Sequence, residues 1–155
     1  MIRALCLLTL ALPAHAEVRT GISDHNTAIL GDHGTSGRED GPVINAEISN
    51  GTLFATASVN TAGDTSFAAA GLEYTLGDKW FIRPALGLAI HDGHINGDRN
   101  ELKLGSRALI YTRADLGHDF GNWSLAFRVE HLSNANLGDP NNGLDNYGVV
   151  IAWDF

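Results

Sequence analysis

Long stretches of this sequence alternate strictly between apolar side chains and small or charged ones. In Trp80–His91 the even positions carry Trp, Ile, Pro, Leu, Leu and Ile, and in Ala108–Phe120 they are again mostly apolar. Ser66–Leu76 follows the same rule, whereas in Trp123–Ser133 the odd positions are the apolar ones. A period of two is that of β-strands, and helical periodicity is weak throughout. The chain is therefore predicted to be an all-β protein.

The second face of these strands carries charges among many small residues, namely Arg83, Arg113, Asp115, Arg128 and Glu130. A soluble sandwich would bury its apolar face. A small transmembrane barrel has the opposite arrangement, with paired charges inside and an apolar band outside. Several alternating runs are longer than the five or six residues or so of a typical sandwich strand and suit a tilted membrane span. The pattern favours a transmembrane barrel, with the soluble periplasmic sandwich as an alternative.

Turn signals divide the chain into eight strands, which predicts an eight-stranded antiparallel transmembrane β-barrel. The predicted strands are 18–30, 43–50, 53–60, 65–76, 79–91, 106–120, 122–134 and 145–155. Tight turns fall at one end of the barrel, at 50–51, 77–78 and 121–122. Long connections fall at the other end, near 31–42, 92–105 and 135–143. Short turns at one end and long loops at the other are typical of outer-membrane barrels.

Residues 1–16 have the layout of a secretory signal peptide, with Arg3 before an apolar run and a small-x-small end. Cleavage after Ala16 would leave residues 17–155 as the barrel. The only cysteine, Cys6, lies in the removed segment, so the mature chain would have no cysteine nucleophile and no cysteine-ligated metal. The formal net charge is −8 without a basic cluster, which argues against nucleic-acid binding.

The chain ends on an alternating apolar row, consisting of Tyr147, Val149, Ile151, Trp153 and Phe155. A terminal aromatic residue preceded by apolar residues at every second position is similar to the signal by which outer-membrane barrels are recognised for assembly. The expected location is therefore the bacterial outer membrane. The expected partners are outer-membrane lipid and the barrel-assembly machinery, and the sequence leaves a homodimer open.

The stretch HLSNANLGDPNNGLD, from His131 to Asp145, contains an imidazole, a hydroxyl and a carboxylate. Alternation places His131 and Ser133 on the lipid-facing row of one strand and Asp145 on the lipid-facing row of the last. Pairing of residue 129 with residue 147 would make His131 and Asp145 cross-strand neighbours. Polar groups that converge on the outer rim of a barrel are costly unless they have a function.

This arrangement suits the hydrolysis of an acyl ester. Ser133 would attack the carbonyl, His131 would take its proton, and Asp145 would orient the imidazole. Asn141, together with Asn134 in the loop after Ser133, would bind the developing oxyanion or the substrate. The alternative is a polar rim at the level of the lipid headgroups, without catalysis.

The motif HLSNA at 131–135, followed by PN-x-G-x-D-x-Y at 140–147 and an aromatic end, resembles that of the lipid A 3-O-deacylases, the PagL family. Weaker similarity extends upstream from about Asn60 through WFIRPALGLAIHDG to LGSRALIY. The family consists of eight-stranded outer-membrane barrels that remove the 3-linked hydroxyacyl chain of lipid A. The resemblance therefore implies this esterase activity, with lipopolysaccharide as the substrate.

The resemblance also implies individual roles. The family's His and Ser correspond to His131 and Ser133, and its oxyanion-binding Asn to Asn141. Asp145 stands where the best-known members typically carry Glu. The shorter side chain leads us to expect a longer contact with the imidazole or a shifted strand register, and it keeps open a second hypothesis, a non-catalytic barrel with a structural or adhesive role.

No metal or cofactor is predicted. The group His91, Asp92 and His94 in AIHDGHINGD matches no established ligand spacing and is interpreted as part of a solvated loop.

Overall fold

A computed structural model describes residues 16–25, 39–96 and 102–154. In these ranges the chain forms nine hydrogen-bonded segments: β1 (Glu17–Asp24), β2 (Pro42–Ser49), β3 (Leu53–Asn60), β4 (Phe67–Glu73), β5 (Leu76–Gly77), β6 (Trp80–His91), β7 (Ala108–Asp119), β8 (Trp123–Ser133) and β9 (Leu144–Asp154). All pairings are antiparallel between neighbours along the chain, and β1 also pairs with β9. The sheet therefore closes on itself as a barrel, which excludes the two stacked sheets of a sandwich.

The segments β4 and β5 belong to one strand, so the barrel has the eight strands that the sequence predicts. Glu73 of β4 pairs with Ala85, Leu76 of β5 pairs with Ile82, and the register is unchanged between them. The interruption lies opposite Pro84 of β6, which accepts a hydrogen bond from the Tyr74 N–H but has no N–H to return.

The described strand limits agree with the prediction within a few residues except at the N-terminal strand. That strand was expected to reach residue 30, but β1 ends at Asp24. Residues 26–38 lie outside the described residues, as do residues 1–15 of the predicted signal peptide and the terminal Phe155.

The exterior of the barrel is apolar. The exposed large side chains of the strands include Ile22, Ile44, Leu72, Leu86, Leu88, Leu116, Phe127 and Val149. From β4 onward they occupy the rows that alternation predicted to face lipid. Aromatic side chains cluster towards the end with the tight turns, where Phe120 stacks on Trp123 at 4.2 Å. An apolar band around a polar interior is the arrangement of a membrane-spanning barrel. Within the described part of the chain, no helix is long and apolar enough to cross a bilayer.

The interior of the barrel is filled by buried ion pairs. Arg19 contacts Glu47 at 2.5 Å and forms two hydrogen bonds of 2.7 Å with Glu73. Arg113 contacts the same two carboxylates from the opposite wall. Each of these side chains is fully buried, so every charge depends on the others for compensation.

A second group of ion pairs continues this layer. Arg128 makes a bidentate contact with Asp115, at 2.8 and 2.9 Å, and reaches Glu47 at 3.2 Å. Glu130 accepts a hydrogen bond of 2.7 Å from the Tyr111 hydroxyl. The inward-facing charges noted in the sequence are therefore joined in one network across the barrel.

Apolar side chains fill the interior towards the end with the long loops. Leu102 and Leu104, from the connection between β6 and β7, pack in one buried cluster with Leu132 of β8 and Leu144 of β9. This cluster joins a loop to the inner face of the two strands that carry the motif at 131–145.

Replacement of an outward-facing residue by arginine should impair assembly if the exterior contacts lipid. We expect Val149→Arg or Leu125→Arg to cost up to about 2–4 kcal/mol near the midplane of a bilayer. Thr52→Arg, in an exposed tight turn, is the matched control and should assemble like the wild type. Heat-modifiable gel mobility and unfolding in lipid vesicles measure the effect, and equal tolerance at all three positions would contradict a lipid-facing exterior.

Removal of one partner from the interior network should destabilise the barrel. Arg128→Met leaves the Asp115 carboxylate buried without its bidentate partner, so the free energy of unfolding should fall by about 3–5 kcal/mol. Asp115→Asn in the same chain removes the uncompensated charge, so the double variant should be more stable than the sum of the single effects predicts. Additive effects in a denaturant titration would show that the two side chains do not depend on each other.

Candidate active site

The paired ends of β8 and β9 bring an imidazole and a carboxylate together on the outer face of the barrel. Val129 pairs with Tyr147 and His131 with Asp145, as the sequence predicts. His131 Nδ1 and Asp145 Oδ1 are 2.6 Å apart. The expected lengthening of this contact by the shorter acid is therefore absent, and the register is not shifted.

The surroundings of Asp145 differ from the prediction. Its side chain is 0% exposed although it belongs to the outward row, whereas that of His131 is 28% exposed. A covered carboxylate in contact with a partly accessible imidazole can orient the ring and compensate its positive charge. The second ring nitrogen, Nε2, is then the one left for chemistry.

Ser133 is the last residue of β8 and lies two positions after His131, on the same face of the strand. It is half-buried, and Ile110 of β7 stands opposite it. The residues that alternate with the polar ones, Leu132 and Leu144, are fully buried in the interior cluster. Because these two leucines point into the barrel, Ser133, His131 and Asp145, which alternate with them, belong to the outer face.

A tight turn follows Ser133. The Leu137 N–H donates to the Asn134 carbonyl at 3.0 Å, and the two central residues, Ala135 and Asn136, have positive φ angles of 52° and 60°. Positive φ at both central positions is the pattern of a type I′ turn. The chain reverses immediately after the serine, so the following loop folds back towards it.

This loop brings Asn141 next to the start of the turn. The Asn134 N–H, which directly follows Ser133, donates to Asn141 Oδ1 at 3.0 Å. Asn141 Nδ2 donates to Asn136 Oδ1 at 3.1 Å. The amide of Asn141 is thereby oriented with its NH₂ group away from the Asn134 N–H, and an NH₂ group has a second proton to donate.

Asn134, predicted to contribute to binding the oxyanion or the substrate, has both its backbone N–H and its side-chain NH₂ group in contacts within the protein. It is 3% exposed, and its Nδ2 donates to the carbonyls of Leu104 and Pro140 at 3.0 and 2.9 Å. Both amide protons are used in contacts within the protein. In this arrangement the Asn134 amide joins two loops, and its N–H is engaged by Asn141.

An apolar cavity of about 320 Å³ lies near the end of β8, lined in part by Asn134, which follows Ser133, and by Ile110, which pairs with Ser133. Its walls come from the outer faces of β6 and β7 and from the turn, and include Leu88, Ala108, Ile110 and Leu137. A larger groove of about 480 Å³ lies at the other end of the exterior, around Trp80 and His118, away from Ser133. Only the first of these two cavities adjoins the candidate residues.

The His91, Asp92 and His94 group is distributed among loop contacts. His91 Nε2 contacts the Ser106 carbonyl at 2.7 Å, and Asp92 Oδ1 accepts the Ser66 N–H at 2.7 Å. Among the described residues, no group of three or more His, Cys, Asp or Glu side chains is placed to hold a metal ion.

Sequence reasoning identified the residues of the motif but missed the contribution of the connection between β6 and β7. Leu104 supplies the carbonyl that Asn134 contacts, and Gly105 packs against the Pro140 carbonyl. Both lie about thirty residues before the motif, at the start of LGSRALIY, where the resemblance to the family assigned no role to either residue. Contacts between the loops reveal that they adjoin the site.

Comparisons with known proteins identify the family and the fold of this chain. The family model for lipid A 3-O-deacylase (PagL) matches residues 23–154. The lipid A deacylase PagL of Pseudomonas aeruginosa is 38% identical over 72 residues, which are 46% of this chain and 40% of that protein. The aligned part thus spans less than half of that relative.

A solved structure gives the same fold. The crystal structure of the outer membrane enzyme PagL superimposes with a TM-score of 0.60 at 21% identity and covers 90% of this chain and 99% of that one. At this identity the likeness concerns the barrel, while the family model spans most of the sequence, including the whole motif at 131–145. The chain belongs to the lipid A 3-O-deacylase (PagL) family.

Proposed function

We propose that this protein is an outer-membrane esterase that hydrolyses the 3-O-linked acyl chain of lipid A. The observation that carries the proposal is the contact of 2.6 Å between His131 Nδ1 and Asp145 Oδ1, on the same outer face and at the same strand end as Ser133. Imidazole, carboxylate and hydroxyl in this order are the parts of a serine hydrolase triad.

Each of the three residues has one role in the proposed reaction. Ser133 Oγ attacks the ester carbonyl while His131 Nε2 takes the hydroxyl proton. Asp145 holds the imidazole by Nδ1 and compensates the charge that the ring acquires. His131 then gives the proton to the departing hydroxyl of the glucosamine, and water hydrolyses the acyl-enzyme to release the fatty acid.

The loop after Ser133 supplies the oxyanion donor in this proposal. Asn141 Nδ2 keeps one proton beyond the one that it donates to Asn136, and a donor aimed at the developing negative charge stabilises the tetrahedral intermediate. The second Nδ2 proton can donate to the ester carbonyl while the contact with Asn136 is kept.

The position of the site supports a lipid substrate. Ser133 lies at the rim of an apolar exterior, next to the cavity that Leu88, Ile110 and Leu137 line. An acyl chain could lie against these side chains while the sugar stays at the level of the headgroups. In this proposal the protein lies in the bacterial outer membrane after removal of residues 1–16, and the barrel-assembly machinery inserts it. It contacts lipopolysaccharide and outer-membrane lipid, and a homodimer is left open.

The nucleophile and the base can be tested directly. Ser133→Ala and His131→Ala should each lower the release of 3-hydroxy fatty acid from lipid A by at least about 10⁴-fold, and the double variant should be little worse because the residues act as a unit. Thr61→Ala, which removes another hydroxyl at the same end of the barrel, is the control. Mass spectrometry of lipid A measures the product, and full activity of Ser133→Ala in a folded barrel would eliminate the proposed nucleophile.

The role of Asp145 has a separate test. Asp145→Asn keeps the shape but removes the charge, and turnover should fall by about 10⁴-fold with the barrel intact. Asp145→Glu keeps the charge but adds a methylene in a fully covered position, so it should retain only part of the activity. If Asp145→Asn turns over like the wild type, the triad needs another acid.

The same measurements decide between the esterase and a non-catalytic barrel with a structural or adhesive role. In the second case, lipid A from cells with the wild-type protein, the Ser133→Ala variant and no protein would have identical acylation.

A further inference from the structure

Two loops that are distant in sequence meet at the proposed oxyanion donor. The loop 134–143 carries Asn141, and residues 102–107 end the connection between β6 and β7. The Asn142 N–H donates to the Lys103 carbonyl at 3.0 Å, and the Lys103 N–H donates to Asn142 Oδ1 at 3.3 Å. This reciprocal pair of hydrogen bonds fixes the spacing of the two loops beside Asn141.

The buried amide of Asn134 is a second link between them. Its two contacts reach Leu104 in one loop and Pro140 in the other, and its own backbone directly follows the proposed nucleophile. One side chain thus ties together the end of β8, the β6–β7 connection and the residue before Asn141. The two hydrogen bonds of its NH₂ group orient the buried amide, whose Oδ1 accepts no hydrogen bond from the described residues.

Gly105 fills the space between these contacts and leaves no room for a side chain. A Cβ atom at residue 105 would lie 1.7 Å from the Pro140 carbonyl oxygen and 2.6 Å from Asn134 Nδ2. The φ angle of Gly105 is +67°, in the left-handed region that glycine adopts without cost. Leu104, its neighbour, is fully buried in the interior cluster, so the segment cannot easily move away.

We propose that Gly105 is a positioning residue for the oxyanion donor Asn141, acting through the Pro140 carbonyl and the Asn134 amide. This inference rests on the proposed esterase function. The β6–β7 connection then serves as the fixed support against which the loop 134–143 is held, so the geometry of Asn141 relative to Ser133 depends on a residue that touches neither.

A side chain at residue 105 should lower kcat without a matching change in KM. A methyl group at residue 105 must push away the Pro140 carbonyl, and the displacement passes to the adjacent Asn141. An oxyanion donor acts mainly in the transition state, so its displacement should lower kcat and leave KM little changed. Loss of such a donor lowers kcat by about 10²–10³-fold, which sets the upper limit of the effect.

The test compares Gly105→Ala with Gly63→Ala, both in full-length protein refolded in detergent with lipid A as the substrate. Gly63 has a φ of +92° in a loop at the same end of the barrel, and a Cβ there would meet nothing within 4 Å. Both variants bear the cost of alanine at positive φ, but only Gly105→Ala collides with the Pro140 carbonyl. We expect a fall in kcat of at least about tenfold for Gly105→Ala and wild-type kcat for Gly63→Ala.

A double variant and an exchange measurement separate positioning from general damage. In the Asn141→Ala background, Gly105→Ala should have little further effect on kcat, because the group that it positions is already gone. Amide hydrogen exchange of the segment 134–143 should be faster in Gly105→Ala than in the wild type or in Gly63→Ala.

Three results would overturn the inference. They are equal kcat for the two glycine variants, additive effects in the double variant, or unchanged exchange in 134–143. If the wild type and Ser133→Ala are equally inactive on lipid A, the proposed function fails. The exchange measurement still decides then whether Gly105 holds the loop.

Discussion

Side chains of paired strands alternate between the two faces of a sheet, so the register of β8 against β9 determines which groups meet at the rim of this barrel. With Val129 opposite Tyr147, His131 faces Asp145 on the outside, and Leu132 and Leu144 point inside. A shift of β8 by one residue would send the His131 imidazole into the interior and Leu132 to the outer face. The candidate site therefore depends on the same register that buries the interior cluster.

The buried ion pairs oppose sliding of the strands that carry them. Arg19, Arg113 and Arg128 come from β1, β7 and β8 and contact carboxylates on β2, β4 and β7, so a sliding strand would leave a buried charge without a partner. The apolar exterior fits lipid, and the interior carries the charges that lipid cannot solvate. One closed sheet thus separates two environments and leaves the rim as the place where polar chemistry and acyl chains can meet.

The remaining parts of the site come from loops, and their geometry is decided by contacts between them. Asn141 is positioned by its bonds with Asn134 and Asn136, and Asn134 is positioned in turn by carbonyls of Leu104 and Pro140. These hydrogen bonds range from buried to exposed and are distributed over two connections. The paired strands β8 and β9 therefore position the proposed triad, whereas the packed loops position the proposed oxyanion donor, Asn141.

The sequence by itself determined the number of strands, the faces of the strands from residue 66 onward, and the cross-strand meeting of His131 and Asp145, because side chains alternate with a period of two along a strand. It also determined the family, because the motif at 131–147 keeps residue types at fixed spacing. Only the tertiary structure decided that Asp145 is covered and in close contact with His131, that the Asn134 amide bridges two loops, and that Gly105 leaves room for the Pro140 carbonyl. The last two facts depend on residues 30 or more positions apart packing against one another, and no local pattern records such contacts.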